Sequence, residues 1–323
     1  MKYLIFILLC FFLLNTKAQE TFKINSDYLS DNVYLLHPAA AGIGNSGKIR
    51  LTNNTQWRGV KDAPSLQTLS FHNRFGKGSS FGTILFNDEN GYHASKGVQM
   101  TYAYHINMSK GYRSFKQLSF GLSLAVVQQL FDTSILANTT ETSLLAINSS
   151  DRYFNGDFGM SFHWNQFFSY LTIKNIFLTT NEDDVLDAID LSKYILFAGC
   201  FLGKDYPIQF EPSLMFMYEP YFERNRFDFN FKFYMNLQKA QVWGAISYST
   251  TTGDPSLTPR EFITPIFGIN YKNFMCSYAY SEQLGGVGLS TKGGYHQFTL
   301  GMNVFVRKSR LSACPNINTS YFF

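Results

Sequence analysis

The stretch Phe227-Asp228-Phe229-Asn230-Phe231-Lys232-Phe233-Tyr234-Met235-Asn236-Leu237 decides the fold. Its odd positions are all apolar, while its even positions carry a carboxylate, two amides, an ammonium and a phenol. Successive side chains of a strand point to opposite faces, so an extended chain here has one greasy face and one wet face. Wound as a helix, the same residues would scatter around the circumference. A strand that meets lipid on one side and water on the other is the unit of a membrane β-barrel.

The same period recurs on both sides of this segment. Leu118, Phe120, Leu122, Leu124 and Val126 alternate with Ser119, Gly121, Ser123 and Ala125. Phe158, Met160, Phe162 and Trp164 alternate with Gly159, Ser161, His163 and Asn165, which puts His163 on the lumen side. Phe298, Leu300, Met302, Val304 and Val306 alternate with Thr299, Gly301, Asn303 and Phe305. The whole chain reads as about fourteen antiparallel strands, near 47–58, 64–76, 80–88, 94–107, 115–130, 154–165, 167–177, 192–203, 207–219, 226–237, 240–250, 260–272, 273–282 and 294–307. Connections after even strands are mostly tight, and those after odd strands, such as 131–153 and 178–191, are mostly long. That parity is the short-turn, long-loop alternation of outer-membrane barrels. It places both ends of the barrel on the periplasmic side. A soluble β-sandwich also alternates, but strands of this length exceed its usual five or six residues and suit a tilted bilayer crossing. The expected fold is therefore an all-β transmembrane outer-membrane barrel.

Composition agrees with that reading. Charged residues make up 15% and aromatics 17%, yet the mean hydropathy is slightly negative at −0.11. A usual domain is about 25% charged. Here Phe and Tyr are interleaved with Asn, Ser, Gly and Gln, so the average cancels. Lys2, an apolar run from Tyr3 to Leu14 and the small residues before Gln19 read as a Sec-type signal peptide, 1–18, cleaved near Ala18. The run is too short for a membrane helix, and no later stretch approaches the required ~20 residues. Without Lys2 and Lys17 the net charge is close to zero, which gives no reason to expect nucleic acid. Cys200, Cys276 and Cys314 remain, an odd set from which no disulfide can be chosen. Residues 19–46 form an N-terminal segment expected on the periplasmic side, followed by the barrel at 47–307 and a periplasmic tail at 308–323. Either flanking segment could plug the lumen or dock a partner, or hang loose. The closing Tyr321-Phe322-Phe323 resembles the aromatic ending used in barrel assembly.

No constellation of catalytic residues stands out, and the chain reads as a non-enzyme without cofactor or metal. Gly42-Ile43-Gly44-Asn45-Ser46-Gly47 matches the dinucleotide pattern, but it leads into a strand where the motif needs a helix N-terminus, so it reads as a lead-in turn. Glu182, Asp183, Asp184, Asp187 and Asp190 crowd one loop that lacks the glycine and terminal Glu of an EF-hand. A solvated acidic loop is favoured there over a calcium site. The six histidines show no paired metal spacing, and no G-x-S-x-G elbow occurs.

Several of these residues together resemble a known family. His37-Pro38-Ala39-Ala40-Ala41-Gly42, then Arg50, Gln56-Trp57-Arg58-Gly59 and Pro64, resembles the opening of the PorP/SprF family. Tyr102-Ala103-Tyr104-His105-Ile106 and Leu118-Ser119-Phe120-Gly121-Leu122 continue the match at similar spacing, and Ala313-Cys314-Pro315 resembles its closing Cys-Pro. His37 stands where that family usually has Asn, and the tail after Pro315 is longer. The resemblance implies a Bacteroidota outer-membrane component of the type IX secretion system and gliding machinery. Its implied partners are the lipid bilayer, a large secreted adhesin carrying a C-terminal signal, and other periplasmic or outer-membrane secretion proteins. His37, Pro38, Gly42, Arg50, Gln56, Trp57, Arg58, Cys314 and Pro315 are then candidates either for partner contact or for building the fold. For Trp57, an interfacial aromatic anchor is the plainer role. A diffusion channel or hydrophobic-solute transporter is the alternative function, and a barrel hydrolase a distant third.

Overall fold

In the computed structural model, fourteen antiparallel strands close into one barrel. The structure describes residues 27–56, 63–91, 93–109, 115–131, 150–176, 192–203, 206–253, 260–284 and 294–306. In chain order the strands are β1 Gly47–Gln56, β2 Ser65–Phe75, β3 Ser79–Asn90, β4 His93–Asn107, β5 Lys116–Phe131, β6 Ser150–Trp164 and β7 Phe167–Lys174. They continue as β8 Lys193–Cys200, β9 Ile208–Glu219, β10 Arg224–Asn236, β11 Ala240–Thr252, β12 Arg260–Tyr271, β13 Phe274–Leu284 and β14 Tyr295–Val304. Each strand pairs with its sequence neighbours, and β1 closes on β14 from Gly47↔Val304 to Gln56↔Tyr295.

The alternation seen in the sequence is the inside–outside alternation of the wall. On β10, Phe229, Phe231, Phe233 and Met235 are exposed, while Asp228, Asn230, Lys232 and Tyr234 are buried. Leu122, Leu124, Phe298 and Leu300 likewise face out, and Ser119, Ser123, Gln297 and Thr299 face in. His163 lies on the lumen side and is hydrogen-bonded to the Tyr170 hydroxyl at 3.0 Å.

The connections follow the expected parity with local exceptions. The links after β2, β6, β10 and β12 are tight, but those after β4 and β8 are longer. In the second of these, Leu202 and Phe210 form an isolated bridge. On the opposite end, β3–β4 and β9–β10 are joined by short links, the latter through a 3-10 turn at Pro220–Phe222. β6 begins at Ser150, earlier than its apolar alternation suggests, because β5 offers it partners up to Leu130↔Ser150. β14 stops at Val304, short of the expected 307, because Phe305 takes a φ of 52° that a strand cannot continue. The sequence placed residues 19–46 on the periplasmic side, with a lumen plug as one of the segment's open uses. The described part, 27–46, packs inside the barrel as three 3-10 turns, Asp27–Leu29, Val33–Leu35 and Pro38–Ala40.

A cation on the outward face separates this arrangement from a soluble barrel. Phe231→Arg should cost about 2–4 kcal/mol of folding stability in lipid vesicles, the penalty for a cation near the middle of a lipid-facing strand. Urea titration of vesicle-reconstituted protein measures it, and an unchanged midpoint would mean that this face does not meet lipid.

Candidate functional site: the filled lumen

A closed sheet with polar inward side chains leaves buried donors and acceptors that need partners. Residues 27–46 supply them around much of the barrel's circumference. The Tyr28 hydroxyl donates to Asp228 at 3.0 Å, and Asn230 Nδ2 donates to that same hydroxyl at 3.1 Å. Asn32 Nδ2 donates to Ser70 Oγ at 2.9 Å, and the Tyr34 hydroxyl donates to Thr101 Oγ1 at 2.8 Å. Gln297 Nε2 reaches Ser30 Oγ at 2.9 Å. Lys232 and Lys174 donate to the carbonyls of Leu29 and Leu35 at 3.0 and 3.2 Å. Strands β2, β4, β7, β10 and β14 are thus all tied to one segment, and β1 joins them through Asp31.

The strongest of these ties is ionic. Lys48 Nζ lies 3.1 Å and Arg50 Nη2 2.8 Å from the Asp31 carboxylate. Both cations point inward from β1, with side chains 3% and 1% exposed. Arg50 also donates to Asn303 Oδ1 at 3.0 Å and to the Ile49 carbonyl at 2.9 Å. Burial would push the Asp31 carboxyl up, but Lys48, Arg50 and Lys232 together hold it well below the usual carboxylate range. Asp27 is the opposite case. Burial raises it from 3.8 to about 7, with Arg226 opposing.

Aromatic packing fills the rest. The His37 ring stacks on Phe197 at 5.8 Å and lies 5.0 Å from Tyr170, and Tyr28 meets Phe197 edge-on at 5.5 Å. Burial, with Lys174 nearby, pushes His37 down to about 3, so the docked ring is neutral. Fully burying such side chains contributes roughly 1.5–3 kcal/mol each. The wall is shaped to receive the segment. A Cβ on Gly121 would lie 2.4 Å from the Pro38 carbonyl carbon, so β5 needs glycine there. Between segment and wall remains a space of about 40 Å³, bordered by Asp31, Lys48, His72, Glu211 and Lys232. It has room for a water or two.

The structure brings four of the singled-out residues into this packing. His37 precedes the Pro38–Ala40 turn without capping it, and its Nδ1 instead meets Thr172 Oγ1 at 2.9 Å. Pro38 opens the turn against Gly121. Gly42 takes a φ of 73°, and its N–H donates to His72 Nδ1 at 2.9 Å; Gly44 follows at 103°. The dinucleotide-like run is therefore the bend that leads the segment into β1. Arg50 is the ionic anchor described above. Gln56 ends β1, with its N–H bonded to the Pro64 carbonyl at 2.9 Å. Trp57, Arg58, Cys314, Pro315 and the acidic loop 182–190 lie outside the described residues. Cys200 and Cys276 are free thiols, and among the described residues no group of three His, Cys, Asp or Glu side chains could hold a metal. Sequence reading missed Asp31, Lys48, Tyr28, Tyr34 and Lys232. The available signal was a pair of inward cations on β1 with an acid shortly before them.

Two outcomes follow from these charges. Asp31→Ala removes the carboxylate that two buried cations share, which should destabilise docking by about 3 kcal/mol. In planar bilayers the parent should be closed and the variant should show openings; equal traces would mean the anchor does not hold the segment. The docked Asp27 keeps a proton that an undocked one loses, so its contribution to docking weakens as pH rises from about 4 to about 7. Asp27→Asn should therefore slow hydrogen exchange over residues 27–43 at pH 8 relative to the parent, by an amount worth up to about 4 kcal/mol. At pH 4 the two should match.

Comparison with curated proteins by sequence gives no match. Among solved structures, the chain is similar to a monoaromatic hydrocarbon channel, the TodX deltaS2S3 mutant, at 10% identity and TM-score 0.49, covering 84% of this chain and 93% of that one. It is similar to the CymD monoaromatic hydrocarbon channel at 10% identity and TM-score 0.47, covering 90% and 96%. The KdgM porin gives 8% identity and TM-score 0.36, covering 79% and 98%. The family model for the type IX secretion system membrane protein PorP/SprF matches residues 18–302, from before the lumen segment to the last strand. The chain therefore belongs to the PorP/SprF family and is an outer-membrane barrel component of type IX secretion.

Proposed function

We propose that this barrel acts without enzymatic chemistry, binding a large secreted adhesin or neighbouring secretion proteins and so supporting export or surface retention. The observation that carries this reading is the lumen filled by the chain's own residues 27–46, held by ion pairs and hydrogen bonds from six strands. A lumen engaged in this way favours docking over conduction. Partner contact then falls to the connections and rims, where loops on a rigid wall are suited to recognition. Among the singled-out residues, His37, Pro38, Gly42 and Arg50 serve the fold in this reading, because their side chains or turns are spent inside the barrel.

Deletion of the gene tests the proposal. Culture supernatant and cell surface should lose, or misplace, at least one adhesin carrying the C-terminal secretion signal. Normal display of every such adhesin would count decisively against it.

A further inference from the structure

A lipid-facing wall normally keeps its apolar belt at one height all the way round. In this barrel the height can be compared by counting residues along each strand from its connection at the short-turn end. Nine residues along, the outward position is Leu124 on β5, Phe216 on β9, Tyr248 on β11 and Ile263 on β12. At the same count it is polar on five neighbouring strands: Glu282 on β13, His296 on β14, Thr55 on β1, Gln67 on β2 and Asn87 on β3. On β1 the outward face is apolar only at Ile49 and Leu51, and then becomes Asn53 and Thr55.

The strand registers join these side chains into one patch. Asn53 lies opposite Gln67, and Gln67 opposite Asn87. One step farther from the short turns, Thr55 lies opposite both His296 and Ser65, and Ser65 lies opposite Glu89. Gln67 and Glu89 are exposed, and Asn87 Nδ2 donates to Glu89 Oε1 at 3.0 Å. The inward residues between them, Thr52, Asn54, Thr68 and Ser70, are buried, so the outward set is not a register slip that turned lumen residues to the lipid. Lower on the same wall, Asn73 interrupts the apolar side of β2 and Thr83 that of β3.

Each strand residue rises about 3.3 Å and barrel strands tilt by about 40°, so losing one outward position lowers the belt by roughly 5 Å. A bilayer meeting a short belt thins locally, because exposing hydrocarbon to Asn, Gln and Glu is the costlier outcome. We propose that the wall from β13 across the β1–β14 closure to β3, lowest at β1–β3, thins the membrane leaflet on the long-connection side, where headgroups and water reach Asn53, Gln67 and Asn87. The barrel thus has a sidedness that strand count alone does not provide. Its closure seam lies within a shallow polar notch where the chain meets less hydrocarbon than at β5, β9, β11 and β12.

Site-directed nitroxides test this in purified, vesicle-reconstituted protein whose native cysteines have been replaced. Labels at Gln67→Cys and Asn87→Cys should be severalfold more accessible to a water-soluble nickel chelate, relative to oxygen, than labels at Leu124→Cys and Tyr248→Cys. Equal, oxygen-dominated accessibility at all four positions would overturn the proposal. So would shielding of positions 67 and 87 from both reagents, because protein rather than thinned lipid would then cover the wall. A second measurement does not depend on labels. Asn53→Leu combined with Gln67→Leu and Asn87→Leu should shift the vesicle thickness giving the best folding yield from shorter to longer acyl chains, and no shift would equally refute the notch.

Discussion

Hydrocarbon offers no partner to a backbone N–H or C=O, and that single deficit organises the molecule. A sheet placed in lipid cannot keep an open edge, so the first strand must find the last. Here β1 and β14 pair along the full length of both strands, from Gly47↔Val304 to Gln56↔Tyr295. Once the sheet closes, period two is no longer a preference but a sorting rule. Every residue faces either lipid or lumen, and the Phe row of β10 has nowhere else to go.

Closure creates a second problem that the wall alone does not solve. Inward Lys48, Arg50, Asp228 and Lys232 are withdrawn from bulk water. Buried charges are tolerated when paired and hydrogen-bonded. Residues 27–46 meet that requirement through Asp31, Tyr28 and backbone carbonyls, while glycine on β5 leaves room for the Pro38 turn. The backbone ladder of the wall is complete without this segment, so sheet closure and lumen filling are separate energetic layers. One is secured by main-chain pairing and lipid, the other by side-chain electrostatics and aromatic packing. Functional reading depends on that separation, since a barrel with a filled lumen offers its rims and outer wall to partners.

The strand number, the inward placement of His163 and the turn at Gly42 were legible in the sequence because each rests on a local rule. Alternation needs only neighbouring residues, and a left-handed bend needs only glycine. The limits of β6 and β14 were less legible, since β6 is extended by partners on β5 and β14 is ended by one backbone angle at Phe305. The role of Arg50 shows the boundary most clearly. The sequence marks it as part of a family motif, but nothing local says that it points inward to Asp31 rather than outward to a partner.

The sequence by itself determined that this chain is a membrane barrel of fourteen antiparallel strands, because inside and outside are written into alternate residues. Only the tertiary structure decided what occupies the lumen and where the wall's polar patch lies. Asp31 meets Lys48 and Arg50, and Gln67 lies between Asn53 and Asn87, through closure and register. Those are relations between distant or separately turned segments, which periodicity along one strand does not contain.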